Sequence, residues 1–212
     1  MPDFPAARAS MITRQLAARG IKDQQVLDAM GRVPRERFVP ESLAANAYAD
    51  GALPIDCGQT ISQPIIVAMM TEALQLSGDQ KVLEIGTGCG YQAAILAELV
   101  AEVYTIERHA ELAQQAEARL HQLAYKNVFV RTGDGSLGWP YEAPFDRIMV
   151  TAAAEECPPA LWEQLREGGV LVGPFGPPSE QALYAMHKIG GKPQSRMLTA
   201  CRFVPLIEDK SQ

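Results

Sequence analysis

A basic excess is what this 212-residue chain most clearly lacks: 19 Lys and Arg stand against 25 Asp and Glu, for a formal net charge of −6. Proteins that bind nucleic acid neutralise phosphates with a basic face. The nearest thing here, RVPRER at residues 32–37, is short and mixed in sign, so nucleic acid is not an expected partner. No apolar run approaches bilayer-spanning length. The opening MPDFPAARASMITRQL has neither the apolar core nor the cleavage site of an export signal. Cytoplasmic residence without a membrane partner is the expectation. The three histidines show no HxxxH spacing, and the four cysteines (Cys57, Cys89, Cys157, Cys201) form no CxxC pair. A structural zinc site is therefore not expected, nor is any other metal, and the thiols read as reduced and unreactive. Internal repeats and low-complexity tracts are also missing.

What the chain has is alternation. Residues 6–19 carry Met11, Ile12 and Leu16 at helical spacing, with Gly20 as a stop. Asp23 is placed to cap a second helix bearing Val26, Leu27 and Met30. Pro34 and Pro40 bracket an extended link, and residues 41–49 hold a helical turn or two. Pro64 suits the first position of a helix over 65–76. Strands are then expected at 81–85, 102–106, 127–130, 145–151 and 169–172, separated by helices at 91–100, 109–124 and 159–166. Such alternation predicts an α/β fold, doubly wound, with helices on both faces of a mostly parallel sheet. Segments 181–189 and 196–206 around Gly190-Gly191 read as a hairpin, so the C-terminal edge is expected to turn antiparallel. The expected organisation is a single domain over 1–212: an N-terminal helical annex and lip (1–77), an α/β core (78–175), and a C-terminal hairpin and tail (176–212).

The loop EIGTGCG at 84–90 follows a strand and opens a helix. Glycines permit a sharp turn and close approach of a ligand to the backbone, and strand ends of open α/β sheets are where ligands bind. The dinucleotide fingerprint G-x-G-x-x-G would need glycine where this chain has Tyr91. The spacing is instead G-x-G-x-G, at Gly86, Gly88 and Gly90, with Thr87 inside the loop. Glu84 would repel a pyrophosphate but suits an amino-acid ammonium group. S-adenosylmethionine has such an ammonium and no phosphate. The loop resembles the first motif of class I methyltransferases; a phosphate-binding glycine loop is the alternative. Glu107 ends the second strand and can accept from both hydroxyls of a ribose, as acids in NAD enzymes also do, or it is a solvated strand end. Asp134 and Gly135, in RTGDG, match the methyltransferase position that accepts from the adenine amino group; a plain Asp-Gly turn is the alternative.

The ordered set VPRERFVP (33–40), ALPI-x-x-GQTISQP (52–64), VLEIGTGxGYQ (82–92), GDG-x-x-GWP (133–140), APFDRIMVTAA (143–153), LxEGGVLVGPFG (165–176) and RFVPL (202–206) carries a more specific likeness. From about residue 21 to 206 the chain resembles the protein-L-isoaspartate O-methyltransferase family. That resemblance implies a Rossmann-like methyltransferase fold and S-adenosylmethionine as methyl donor, with S-adenosylhomocysteine as product. It also implies isoaspartyl proteins and peptides as substrates. The sequence does not give the oligomeric state; a monomer is the expectation. The implied reaction methylates the free α-carboxylate left where an ageing Asn or Asp has rearranged to isoaspartate. The ester then closes to a succinimide, which reopens in part to normal aspartate. The resemblance assigns the active-site serine to Ser62; from the residues alone, a serine two positions before Pro64 is equally a helix cap. Thr60, Ile61 and Gln63 are implied contacts to cofactor, Ile61 and Ser62 to substrate, and Arg202 and Val204 a wall of the substrate groove, with 202–206 as an edge strand or a core strand. Two departures stand out. Asp56-Cys57 replaces a glycine with a small or polar partner, and its carboxylate would either weaken anion binding or make it pH-dependent; Cys89 replaces a serine or other small residue. Two further readings stay open. One is methylation of a small molecule or nucleic acid, although VTAAAEECPP at 150–159 lacks an NPPY-like clamp. The other is a cofactor-binding module without turnover.

Overall fold

The N-terminal annex is wound in three pitches. The computed structural model describes residues 2–208; the outer ends of the expected organisation, residue 1 and residues 209–212, lie outside the described residues. Asp3 accepts from the Ala6 N–H at 3.0 Å and caps α1 (Phe4–Ser10). The single helix expected over 6–19 instead widens into a π turn over Met11–Leu16 and tightens over Ala17–Arg19, before Gly20 stops it at φ +98°. Met11 and Leu16 are both fully buried. Their five-residue separation fits i→i+5 winding and not an α-helical stripe. Asp23 caps α2 (Gln24–Arg32), accepting from the Gln25 N–H at 2.9 Å. The link between Pro34 and Pro40 is not extended throughout: Arg35–Arg37 makes a tight turn that carries the Arg35 side chain inward.

The lip is a minute hairpin that the sequence did not announce. β1 (Leu53–Pro54) pairs antiparallel with β2 (Thr60–Ile61) across a turn at Asp56–Gly58. Cys57 sits in that turn at φ +55°, a left-handed conformation unusual for a side-chain-bearing residue. α3 (Pro64–Ala73) follows, with Pro64 in its first turn.

The core strands are β3 (Lys81–Ile85), β4 (Glu102–Glu107), β5 (Val128–Thr132), β6 (Phe145–Val150) and β7 (Leu165–Phe175). The helices between them are α4 (Tyr91–Ala97), α5 (Ala110–Gln122) and α6 (Pro159–Gln164). β7 begins ahead of its expected start at 169. Residues 166–169 loop out opposite Asp146, between the pairs Phe145–Leu165 and Arg147–Val170. β8 (Ala182–Ile189) and β9 (Lys192–Ala200) form the hairpin, with Gly190 and Gly191 at φ +59° and +74°, the signs a two-residue turn requires. The sheet order is β5-β4-β3-β6-β7-β8-β9, with the first five strands parallel and the last two antiparallel to their neighbours.

The second hairpin arm had been expected over 196–206. A two-residue turn makes pairing start at once, so β9 occupies 192–200 and the chain has left the ladder by Arg202. Pro205 cannot donate to a ladder. Residues 204–206 instead straddle Ala153, whose N–H donates to the Val204 carbonyl at 2.8 Å and whose carbonyl accepts from the Leu206 N–H at 2.7 Å.

Both sheet faces are covered. Val82, Val103, Met149 and Val172 pack with the annex, α3 and α4, while Leu83, Ile85, Ile106, Ile148 and Leu171 form a second cluster with α6. Each such buried side chain contributes about 1.5–3 kcal/mol. No described helix is long and apolar enough to cross a membrane.

Candidate functional site

A cleft opens over the C-terminal ends of β3 and β4, where the chain order reverses about β3. Such switch points are ligand sites in open α/β sheets. The cleft holds about 970 Å³, including open solvent. Its walls come from the lip (Gln59–Ser62), the glycine loop, the end of β4, the end of β6 and residues 204–207.

The glycine loop is shaped by contacts a side chain would not allow. Gly86 lies at φ +93°, and a Cβ there would overlap Thr151 Oγ1. That hydroxyl donates to the carbonyls of Ile85 and Gly86 at 2.8 and 2.7 Å. Gly88 is also left-handed, at φ +53°. From below, Arg119 Nη1 donates to the Cys89 carbonyl at 2.7 Å and pins the loop to α5.

Glu107 is 6% exposed and uses both oxygens on backbone: Oε2 accepts from the Gly88 N–H at 2.8 Å and Oε1 from the His109 N–H at 2.9 Å. A carboxylate accepts about four hydrogen bonds. One site on each oxygen is therefore left for a diol. This geometry favours ribose and gives a phosphate nothing.

Of the expected residues, Thr60, Ile61, Ser62, Gly86, Thr87, Gly88, Glu107, Gly135 and Val204 all line the cleft. Five others are set off its wall. Gln63 turns away, donating to Asp50 Oδ1 at 2.7 Å. Glu84 is fully buried behind the loop, where Oε2 accepts from the Thr105 hydroxyl at 2.6 Å and Oε1 has no hydrogen-bond partner. Burial pushes its pKa up to about 8, against the Thr105 hydrogen bond. The carboxyl is thus mostly neutral at pH 7, a weak attraction for an ammonium group. Its path to the cleft runs through Thr105 to Thr87, whose hydroxyls lie 2.7 Å apart. Gly90 serves packing: a Cβ would come within 3.3 Å of Ala116 and 3.4 Å of Leu120 on α5. Asp134 spends Oδ1 on the N–H and hydroxyl of Ser136, at 2.8 and 2.7 Å. Arg202 is exposed and lines a neighbouring groove on the far side of residues 203–206.

Ser62 does not cap α3. The cap position is Gln63, with no side-chain capping bond. Among the described residues the Ser62 hydroxyl has no hydrogen-bond partner, while its carbonyl accepts from Arg35 Nη2 at 2.8 Å. Arg35 is itself fully buried; its Nε donates to the Ala47 carbonyl at 2.7 Å, and its guanidinium lies 4.8 Å from the Tyr91 ring centroid. Desolvation lowers its pKa from the usual arginine value, and burial lifts that of Tyr91 to about 12.

The Protein-L-isoaspartate(D-aspartate) O-methyltransferase family model matches residues 7–211. The chain belongs to that family. A protein-L-isoaspartate O-methyltransferase of Koribacter versatilis (strain Ellin345) is 56% identical over 96% of this chain and 92% of its own length. One from Dictyoglomus thermophilum is 51% identical over 97% of this chain and 93% of its own length. A Plasmodium falciparum structure described as such an enzyme in complex with S-adenosyl-L-homocysteine superposes with a TM-score of 0.83 at 25% identity, covering 95% of this chain and 99% of that one. Another protein-L-isoaspartate O-methyltransferase structure also gives 0.83, at 29% identity over 93% of this chain and 65% of that one.

In this member of the isoaspartate O-methyltransferase family, sequence reasoning passed over several cleft residues. Thr151 ends the strand beside the glycine loop, a position that the strand-end rule would have flagged. His109 lies two residues beyond Glu107 and lines the cleft, but a lone histidine gives no signal. Tyr91, Val67 and Met70 line it as well; apolar residues at helical spacing read as core. Asp56 and Cys57, the expected departures, lie in the exposed lip turn and not on the cleft wall. Cys89 does line it and is buried, which raises its thiol pKa. All four cysteines are free.

Proposed function

We propose that this chain transfers a methyl group from S-adenosylmethionine to the free α-carboxylate of L-isoaspartyl residues in proteins and peptides, the step that lets a succinimide form and normal aspartate return. The observation that carries the reading is the shared cleft: one wall is Glu107, with acceptor sites left on both oxygens, and the other is Ser62, with an unpartnered hydroxyl.

The residues fit the cofactor. Glu107 suits its ribose, and Gly86 and Gly88 bring bare backbone to the cleft floor. Ile85 and Ile106 offer apolar surface, and Gly135 and Asp134 lie beyond them on the adenine side. Thr60, Ile61 and Thr87 complete the cradle; Gln63 and Glu84 take part through the lip and the threonine pair, and Gly90 by seating α4 on α5. When bound, S-adenosylmethionine supplies a methyl group already activated on a sulfonium.

The protein's own task is placement. An α-carboxylate is ionised at neutral pH, so no general base is needed. Ser62 donates to one carboxylate oxygen and leaves the other directed into the cleft. Ile61, 4% exposed, and Val204 shield that oxygen from water. Alignment of two bound groups supplies much of the rate, and charge lost along the path favours a dry pocket. Arg202, in the adjoining groove, meets flanking parts of the polypeptide. Cytoplasmic residence, action as a monomer, and polypeptide rather than nucleic acid or membrane as partner complete the proposal.

The test offers labelled S-adenosylmethionine with a peptide carrying isoaspartate and its normal aspartyl isomer. Label should enter the first and not the second. Equal labelling, or none, would overturn the assignment.

A further inference from the structure

Beneath the lip lies a buried cation that the proposed reaction does not use directly. Arg35 is fully buried, and no carboxylate of the described residues stands within ion-pair distance. The adjacent Glu36 is already paired with Arg8 and Tyr48. A guanidinium without a counter-ion in a protein interior is costly. Its hydrogen bonds go instead to two carbonyls on separate segments, Ala47 at 2.7 Å and Ser62 at 2.8 Å, and its Cζ lies 4.8 Å from the ring centroid of Tyr91 on the cleft wall. Nη1 and the Tyr91 hydroxyl are both buried; neither makes a hydrogen bond of good geometry, and the two groups interact with each other. A strut needed only for stability would be served as well by an apolar side chain of the same size.

The lip has few other anchors at this point. β2 is two residues long, α3 has no side-chain cap because Gln63 sends its amide outward to Asp50 at 2.7 Å, and the Ser62 hydroxyl bonds to nothing described. The rigid fork of arginine, seated over an aromatic ring, fixes a carbonyl in a way a flexible lysine does not.

We infer that Arg35 is a positioning residue for methyl transfer: it grips the Ser62 carbonyl from within and sets the direction of the Ser62 hydroxyl. This rests on the functional reading of Ser62 above. Arg35 touches neither substrate nor cofactor in this role; it acts through the lip.

The experiment is a double-mutant cycle on kcat/KM for an isoaspartyl peptide, with S-adenosylhomocysteine affinity measured by calorimetry on each variant. Arg35→Met should lower kcat/KM at least tenfold while leaving the affinity for S-adenosylhomocysteine within twofold. In a Ser62→Ala background the same change should cost less than twofold, because the hydroxyl it directs has gone. Equal losses in both backgrounds, unchanged activity, or product affinity falling in step with activity would make Arg35 a general strut and overturn the inference. Should circular dichroism find Arg35→Met unfolded, Arg35→Lys goes through the same cycle. It keeps the charge and loses the fork; its predicted loss is smaller, and the same non-additivity decides. A parent chain inactive on isoaspartyl peptide would sink the functional reading itself, whereas additive losses from an active parent sink only the role of Arg35.

Discussion

Glu107→Ala removes more than a ligand contact, and the structure separates the two effects. The carboxylate accepts from Gly88 and His109 N–H groups at 2.8 and 2.9 Å, so the glycine loop and the start of α5 each lose a partner at a residue that is 6% exposed. Leaving a buried N–H unpaired costs about 1–3 kcal/mol of stability. The ligand-facing acceptor sites are lost as well. Their exchange against water makes the net effect on binding about 1–3 kcal/mol, a rise of roughly 5- to 150-fold in the Kd of S-adenosylhomocysteine. Glu107→Gln sharpens the test. It keeps volume and one acceptor but sets an amide NH2 against one of the two backbone donors. It should bind more weakly than the parent and fail to restore the loop. Isothermal calorimetry reads the first effect and urea unfolding the second. A folded alanine variant with Kd within twofold of the parent refutes the ribose role; lowered stability with unchanged Kd would make Glu107 a loop brace.

Three other changes follow from the same geometry. Ser62→Ala should cut turnover on isoaspartyl peptide by roughly tenfold or more, in line with about 1.5–3 kcal/mol for a hydrogen bond to a charged group, with cofactor affinity nearly unchanged; single-turnover rates equal to the parent would contradict this. Gly86→Ala forces a Cβ onto Thr151 Oγ1 at a left-handed φ. About 1–3 kcal/mol of stability should be lost with weaker S-adenosylhomocysteine binding, and thermal unfolding indistinguishable from the parent would show the loop to be slacker than its geometry. Glu84 gives a pH signature. Burial raises its pKa from 4.5 to about 8, so below about pH 4.5 it is neutral in folded and unfolded chains alike. As pH rises toward 8 the unfolded chain releases the proton and the folded one keeps it, and stability falls through that window. Glu84→Gln should flatten the fall; a parallel pH dependence in parent and variant would place the titration elsewhere.

The parallel core was legible because its strands are short apolar runs cut by glycine and helical stretches, and both faces are buried as that pattern demands. The hairpin was legible at Gly190-Gly191, though not its far arm: RFVPL has strand composition, and only the register forced by a two-residue turn pushes it off the ladder. At the lip, Pro54 and Asp56-Cys57 hid two strands of two residues each. Within the site, residues whose role is backbone shape or strand-end position were readable. Direction was not. Gln63 turning to Asp50, and Asp134 spending an oxygen on Ser136, depend on neighbours that spacing does not reveal. Arg35 is the clearest case, because a charged residue in a charged hexapeptide reads as surface until the tight turn at Arg35–Arg37 points it inward.

The most direct measurement is a crystal structure of this chain with S-adenosylhomocysteine and an isoaspartyl peptide. The ribose should lie on Glu107, and one acceptor carboxylate oxygen should fall within about 3 Å of Ser62 Oγ. A peptide carboxylate seated away from that hydroxyl, or a ribose held elsewhere than Glu107, would contradict the account.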